Sequence, residues 1–559
     1  MKKSERSRYI EERELDGYIL AWSLHRILET IGGGNQTLGW GMAAQLGIVG
    51  MVFLSFLLKS AWIWACCILL YISFDIILMP FIWDSEYWCI LTDLAMLLAI
   101  LITSGDRTKL LPLARKIICI QMVIFYTAAA VWKLNKDFFD ARASCAPIFV
   151  AQMIDLITMG TADKYIPISF IQIILQNSPF LVILLEGFIA IALSLPAGRE
   201  FGVYAACILH ILIAVCPPPN NVATFSLMCL SRLVIFVPNG LVTVLTTPPL
   251  KYMKIYWLIA LPLSSFLAWH SEFYDLILPI FIAAVPLLWK AAKEDSIILR
   301  GLEDYEATKV NQLLSSKKSC IFKAARAMIV FISFFYSFGL LSLGLLDQGA
   351  PHMYANLRLH AGSNHFFLPT GLLQQYKYPS AFDGGIVRIE RSTSSLLNRY
   401  YPSEYTNDLS QGTRDLLTIA NHTGRMFNPM LSLVTASEAP WNPNTSFIKY
   451  TMPAHEFRRM LQFLHSQEKD SYLIEYIQLD DISGDEVWRA TSNKGRLIRF
   501  EHSPKKNQTK CRVLRPRSSS CLSSDLVNLP PLPFWTKKLL LFEPYPILPN
   551  DHRLHCFGP

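Results

Sequence analysis

Long apolar runs recur through the first 347 residues of this 559-residue chain, more than the core of a water-soluble domain could absorb. A helix needs about 20 predominantly apolar residues to cross bilayer hydrocarbon. Such segments lie near 17–33, 40–58, 60–82, 88–104, 115–134, 179–197, 200–216, 222–246, 252–270, 273–290 and 326–347. The first is short and polar, and only Lys59-Ser60 separates the second from the third, so the expected number of spans is about 9–11. Ile166–Gln176 is apolar but too short to cross, and reads as an interfacial or re-entrant helix. The expected fold class is a polytopic α-helical membrane bundle over 1–347, followed by a C-terminal luminal α+β domain over 348–559.

Charge and cysteine usage narrow the classes further. Only 17% of residues are charged, against about 25% in soluble domains. The net charge of +8 is modest, and Lys and Arg alternate with acids in the tail, so nucleic acid is not an expected partner and membrane lipid is. Cys66, Cys67, Cys89, Cys119, Cys207 and Cys229 sit in apolar runs, where a small thiol packs. There is no Cys-x-x-Cys or His-Glu-x-x-His spacing, so no metal is expected. Met1–Glu14 carries both signs of charge and lacks the pattern of a cleaved signal, leaving membrane targeting to the first span.

Two signals orient the chain. With a cytosolic N-terminus, alternation puts Lys59, the Arg107/Lys109/Arg115/Lys116 cluster, Arg199, Lys251/Lys254 and the Lys290–Arg326 loop on the cytosolic side, as the positive-inside tendency requires. The same alternation makes residues 348–559 luminal, where Asn421-His-Thr, Asn444-Thr-Ser and Asn507-Gln-Thr are glycosylation acceptors. Asn35, in Asn-Gln-Thr, also falls outside. The expectation is a multi-pass glycoprotein of the endoplasmic reticulum or another endomembrane.

The tail mixes helix and strand periods. Tyr405–Ile419 and His455–His465 show helical spacing, whereas Leu473–Leu479, Glu486–Ala490 and Arg496–Glu501 alternate, with a turn at Ser483-Gly484-Asp485. Ser503–Ser524 is basic and Ser-rich, and reads as a flexible loop. Cys511, Cys521 and Cys556 are odd in number. A lumen permits one disulfide, with the remaining thiol left over or paired with a loop such as that of Cys145.

Charge inside hydrocarbon is costly and needs a partner or a purpose. His25, Arg26, Glu29, Asp75, Asp93, Lys133, Glu186, His210 and Arg232 all fall in apolar runs. Interhelical pairing accounts for Arg26, Asp75, Asp93 and Arg232, and Arg26 and Glu29 share a helix face three residues apart. Lys133 ends the fifth span, and Glu186 and His210 lie roughly 10 Å inward from the outer ends of the sixth and seventh, at matching depth. These three form the candidate catalytic site. A desolvated Lys tends toward the neutral amine and can act as a base. The competing reading is a lysine snorkelling from a helix end.

The stretch Tyr126-Thr127-Ala128-Ala129-Ala130-Val131-Trp132-Lys133-Leu134-Asn135-Lys136-Asp137-Phe138 resembles the signature of the vitamin K-dependent γ-carboxylase-like (HTTM) membrane family. Leu184-Leu185-Glu186, Pro196-Ala197-Gly198-Arg199, Leu209-His210 and Phe225-Ser226-Leu227-Met228 follow in the family's order, so the resemblance covers about residues 15–290. Tyr354–Arg358 and Ser363-Asn364-His365 are similar to algal-type members. The resemblance implies a lysine base at Lys133 acting on reduced vitamin K or another quinol, with a luminal protein or small molecule as the acceptor. A γ-glutamyl-carboxylase-like enzyme is therefore the first expectation. A non-catalytic lipid- or partner-binding protein and a transporter are the alternatives.

Overall fold

The computed structural model describes residues 3–31, 42–79, 82–217, 220, 222–247, 251–270, 277–299 and 318–342. In the C-terminal region it describes 351, 354–357, 386–394, 409–421, 449–453, 456–457, 459–460, 472–478, 487–493, 496–503 and 545–547. Asn35, Asn444, Asn507, Cys511, Cys521, Cys556, the Ser483-Gly484-Asp485 turn, Ser363-Asn364-His365 and nearly all of Ser503–Ser524 lie outside these residues.

Helices in chain order are α1 (Lys3–Ile31), α2 (Met42–Leu57), α3 (Ala61–Leu78), α4 (Asp84–Thr103), α5 (Arg107–Trp132), α6 (Lys136–Phe139) and α7 (Ala146–Thr158). They continue as α8 (Ala162–Tyr165), α9 (Ile168–Ser194), α10 (Arg199–Val215), α11 (Ala223–Leu233), α12 (Pro238–Thr246), α13 (Lys251–His270), α14 (Ile277–Leu299) and α15 (Lys318–Phe334). Among the described residues, six stretches are long and apolar enough to cross a membrane: α3, α4, α5, α9, α10 with its leading turn, and Cys320–Ser342. Exposed Ile173, Phe180, Leu184 and Ile191 along α9 belong with a hydrocarbon solvent rather than water. The chain is a multi-pass helical membrane protein with a mixed helix-and-strand C-terminal region.

Two expectations about the helices need correcting. Ile166–Gln176 is not a separate interfacial helix, because most of it is the first half of the 27-residue α9. Pro179 cannot donate to the Leu175 carbonyl, and the Ser178 hydroxyl takes that carbonyl instead at 2.7 Å, so the helix continues through the proline. Residues 222–246 are not one straight span. The chain bends by 101° between Ala223–Phe236 and Pro238–Val244, where Pro238 begins a new helix at its first turn.

The chain divides into two compact units, and the division does not follow the linear order. One unit comprises Met1–Val131 and Val182–Phe338, and the other comprises Trp132–Leu181 and Gly339–Pro559. In the first, short connections carry their own caps. Ser60 accepts from the Ile63 N–H at 3.4 Å to start α3, and Glu86 accepts from the Trp83 N–H at 2.7 Å to start α4. Asp16 on α1 pairs with Lys59 at 3.6 Å and also with Arg107, whose guanidinium donates to the Lys59 carbonyl at 2.9 Å. Two of the basic loops thus meet at one end of this unit.

The second unit holds a six-stranded antiparallel sheet of order β5-β4-β3-β1-β2-β6. Its strands are β1 (Ile386–Ser392), β2 (Lys449–Pro453), β3 (Tyr472–Gln478), β4 (Val487–Asn493), β5 (Arg496–Ser503) and β6 (Tyr545–Ile547). The alternating runs expected in the tail are β3, β4 and β5, shifted by no more than a few residues. Alternation buries Val387 and Ile389 of β1 with Ile474 and Tyr476 of β3 and Met452 of β2. β6 contains Pro546, tolerable at a sheet edge. Helix α16 (Gln411–Asn421) starts later than the expected Tyr405, because the Ser410 hydroxyl accepts from the Thr413 N–H at 3.2 Å. From the expected His455–His465 helix, Glu456, Phe457, Arg459 and Met460 are helical.

Helix α7, absent from the expected elements, packs with α16 in this same unit. Cys145, Ile148, Ala151, Ala162, Ile171 and Leu175 form one apolar cluster with Leu409, Leu416 and Leu417. The Asp155 carboxylate accepts from the Ser410 hydroxyl, and from Thr413 at 3.1 Å, beside the N-terminus of α16. Cys145 is disulfide-bonded, while Cys66, Cys67, Cys89, Cys119, Cys207, Cys216, Cys229 and Cys320 are not in disulfides.

Candidate functional site

Trp22, His25, Arg26 and Glu29 on α1 follow the i, i+3, i+4, i+7 spacing that puts side chains on one helix face. That face is buried in the first unit, against Tyr71 and Asp75 on α3, Cys89, Thr92 and Asp93 on α4, and Arg232 on α11. Arg26 is fully buried and donates to Glu29 at 2.8 Å, Asp93 at 2.9 Å and Asp75 at 3.4 Å. Its guanidinium lies 4.9 Å from the Tyr71 ring centroid, and the Tyr71 hydroxyl donates to the Arg26 carbonyl at 3.2 Å.

Asp93 joins the two arginines. Its Oδ1 accepts from the Trp22 indole at 2.9 Å and from Arg232 at 3.3 Å, and its Oδ2 accepts from Arg26. Arg232 continues to His25 Nδ1 at 3.0 Å and to the Ser231 hydroxyl at 2.8 Å. Four helices are thereby tied through one ionic network in a setting where each unpaired charge would be expensive. The expected interhelical pairing of Arg26, Asp75, Asp93 and Arg232, and the Arg26–Glu29 pair, is what this geometry contains. Trp22 and Tyr71 were not singled out by sequence, although the spacing around Arg26 was there to find Trp22.

A second polar point lies in the same unit. His210 on α10 is fully buried, with Nε2 2.7 Å from the Tyr126 hydroxyl of α5. Its Nδ1 has no hydrogen-bond partner among the described residues. Phe225 stands 5.5 Å from the imidazole, and Phe125 connects Phe225 to Trp88 through ring distances of 5.8 and 5.0 Å. Glu186 on α9 is buried and within electrostatic reach of the Tyr126 hydroxyl. Two of the three candidate residues, Glu186 and His210, therefore relate to Tyr126, which sequence reading placed in a motif without a role.

Lys133 belongs to the second unit and is only 6% exposed, so within the protein its head group does not extend to open solvent. The turn around it is built by Asn135. The Asn135 N–H donates to the Lys133 carbonyl at 2.8 Å, and its amide donates to the carbonyls of Trp132 at 2.9 Å and Ala355 at 2.7 Å. Its side-chain oxygen accepts from the Phe138 N–H at 2.9 Å and so starts α6. Among the described residues no cluster of His, Cys, Asp and Glu is arranged to hold a metal.

Comparison with known proteins touches only the C-terminal region. Residues 363–538 match the model of a domain of unknown function (DUF8388). No curated protein and no solved structure matches the chain. The matched segment lies beyond residues 15–290.

Proposed function

We propose that this chain is a membrane enzyme of the γ-carboxylase-like (HTTM) type, using Lys133 as a base toward a lipid-soluble quinol at the luminal membrane face. The observation that carries this reading is the burial of Lys133 in an Asn135-organised turn of the signature segment. His210 and Tyr126 offer polar atoms among aromatic rings, a setting whose chemistry suits a quinol ring and its oxygens. Vitamin K hydroquinone or another quinol would supply acidic hydroxyls and reducing power. Lys133 would take up the proton from the quinol.

A cytosolic N-terminus, spans beyond the six long apolar helices and a luminal, glycosylated C-terminal region in the endoplasmic reticulum or a related endomembrane belong to the same proposal. The Cys145 disulfide supports an oxidising compartment for its unit. The meeting of Lys59 and Arg107 at one end supports a single cytosolic face. A luminal protein or small molecule would be the acceptor.

The test is quinol oxidation by purified protein in detergent, with dioxygen as the oxidant. Lys133→Ala and Lys133→Arg should both lose turnover while keeping wild-type expression and glycosylation, because a guanidinium stays protonated. A wild type without turnover, or a fully active Lys133→Arg, would overturn the base role. A transporter is the second reading, favoured by the 101° break between α11 and α12, since discontinuous helices recur at solute sites. Uptake of solute by proteoliposomes that lack quinol turnover would select it.

A further inference from the structure

Among the described residues, the ionic network of α1, α3, α4 and α11 contains one carboxyl more than it has cations. Arg26 and Arg232 are opposed by Glu29, Asp75 and Asp93. His25 adds no positive charge, because its Nδ1 faces Arg232, which can only donate, and must therefore keep its lone pair. With all three carboxyls ionised the network would hold a net negative charge among side chains that are all buried. Such a charge is strongly disfavoured inside a bilayer, and binding a proton removes it.

We infer that this network is an intramembrane proton-binding site and that Asp75 is the carboxyl that carries the proton. The hydrogen bonds select Asp75. Both oxygens of Asp93 accept from charged donors, and Oδ1 also accepts from the Trp22 indole, so neither oxygen has room to carry a proton. Glu29 receives a 2.8 Å bond from Arg26 Nη1. Asp75 has the longest contact of the three, 3.4 Å from Arg26 Nη2, a nitrogen that also serves Asp93 at 2.9 Å. The charged and titratable groups acting on Asp75 are Arg26 and Glu29 from α1 and Asp93 from α4. Glu86, at the N-terminal turn of α4, lies within electrostatic reach of Glu29 and Asp75. The inference rests on charge and geometry and is independent of the quinol reading.

Infrared spectra of the full-length protein in detergent test it, through the carbonyl stretch of a protonated carboxyl at neutral pH. The wild type should show this band, carbon-13 labelling of aspartate but not of glutamate carboxyls should shift it, and Asp75→Asn should lose it. Because a protonated Asp and an Asn are both neutral, Asp75→Asn should also fold with an unchanged unfolding midpoint. Absence of the band from the wild type, its persistence in Asp75→Asn, a shift on labelling glutamate instead of aspartate, or failure of Asp75→Asn to fold would each overturn the assignment.

Discussion

Truncating Asp93 is the sharpest single perturbation of the membrane bundle. Asp93→Ala removes the acceptor of the Trp22 indole, Arg26 and Arg232 together, at 2.9, 2.9 and 3.3 Å, and both arginines are fully buried. Breaking a buried ion pair by removing one partner costs about 3–5 kcal/mol, because the remaining charge stays desolvated. That corresponds to a factor of roughly 10²–10⁴ in the folded population. Asp93→Asn should cost less, about 1–3 kcal/mol, since an amide oxygen still accepts and loss of the proton from Asp75 would restore neutrality. Thr92→Ala is the control. Its hydroxyl meets Arg232 only at 3.5 Å and otherwise donates to carbonyls of its own helix, so the expected cost is below about 1 kcal/mol. Denaturant titration in mixed micelles, followed by tryptophan fluorescence, reads both the midpoint and the environment of Trp22. An Asp93→Ala variant within about 1 kcal/mol of wild type would refute the view that this carboxylate neutralises the two arginines.

Two further outcomes follow from the contact between α12 and α14. A Cβ on Gly240 would overlap the Ala291 carbonyl and stand 2.9 Å from the Asp295 N, so Gly240→Ala should destabilise the protein by about 1–3 kcal/mol in a thermal melt, and an unchanged melt would refute close backbone packing there. Burial pushes the Asp295 carboxyl above its ordinary value, against the pull of Arg115 and of the Gly240 and Asn239 N–H groups that it caps. A raised folded value means that its contribution to stability is full at acid pH and is lost as pH rises through that value. Asp295→Asn, neutral and still an acceptor, should therefore match or exceed wild-type stability on the alkaline side, and a melt showing the opposite pH trend would refute this.

Hydropathy alone announced a multi-pass helical protein, because apolar length along one segment is a local quantity that the bilayer reads directly. The alternation in β3, β4 and β5 and the i, i+3 relation of Arg26 to Glu29 were legible for the same reason. β1 carries an equally plain alternation, Val387 and Ile389 against Arg388 and Glu390, and could have been read. Other features depend on partners far away in the chain. The proline at 179 leaves its helix intact only because Ser178 covers the freed carbonyl, whereas Pro238 starts a new helix whose first N–H groups are capped by Asp295 on α14. Residues 132–181 join the C-terminal region through the packing of α7 on α16, which no local period records.

The sequence by itself determined that the chain carries several membrane helices and which ionisable groups had to be explained. Only the tertiary structure decided which of those groups meet. Arg26 finds Asp75 and Asp93 across separations of 49 and 67 residues, and Arg232 finds His25 across 207. A helix period assigns each side chain a face, but the face's partner is set by how the helices pack, where desolvation leaves a buried charge stable only beside its opposite.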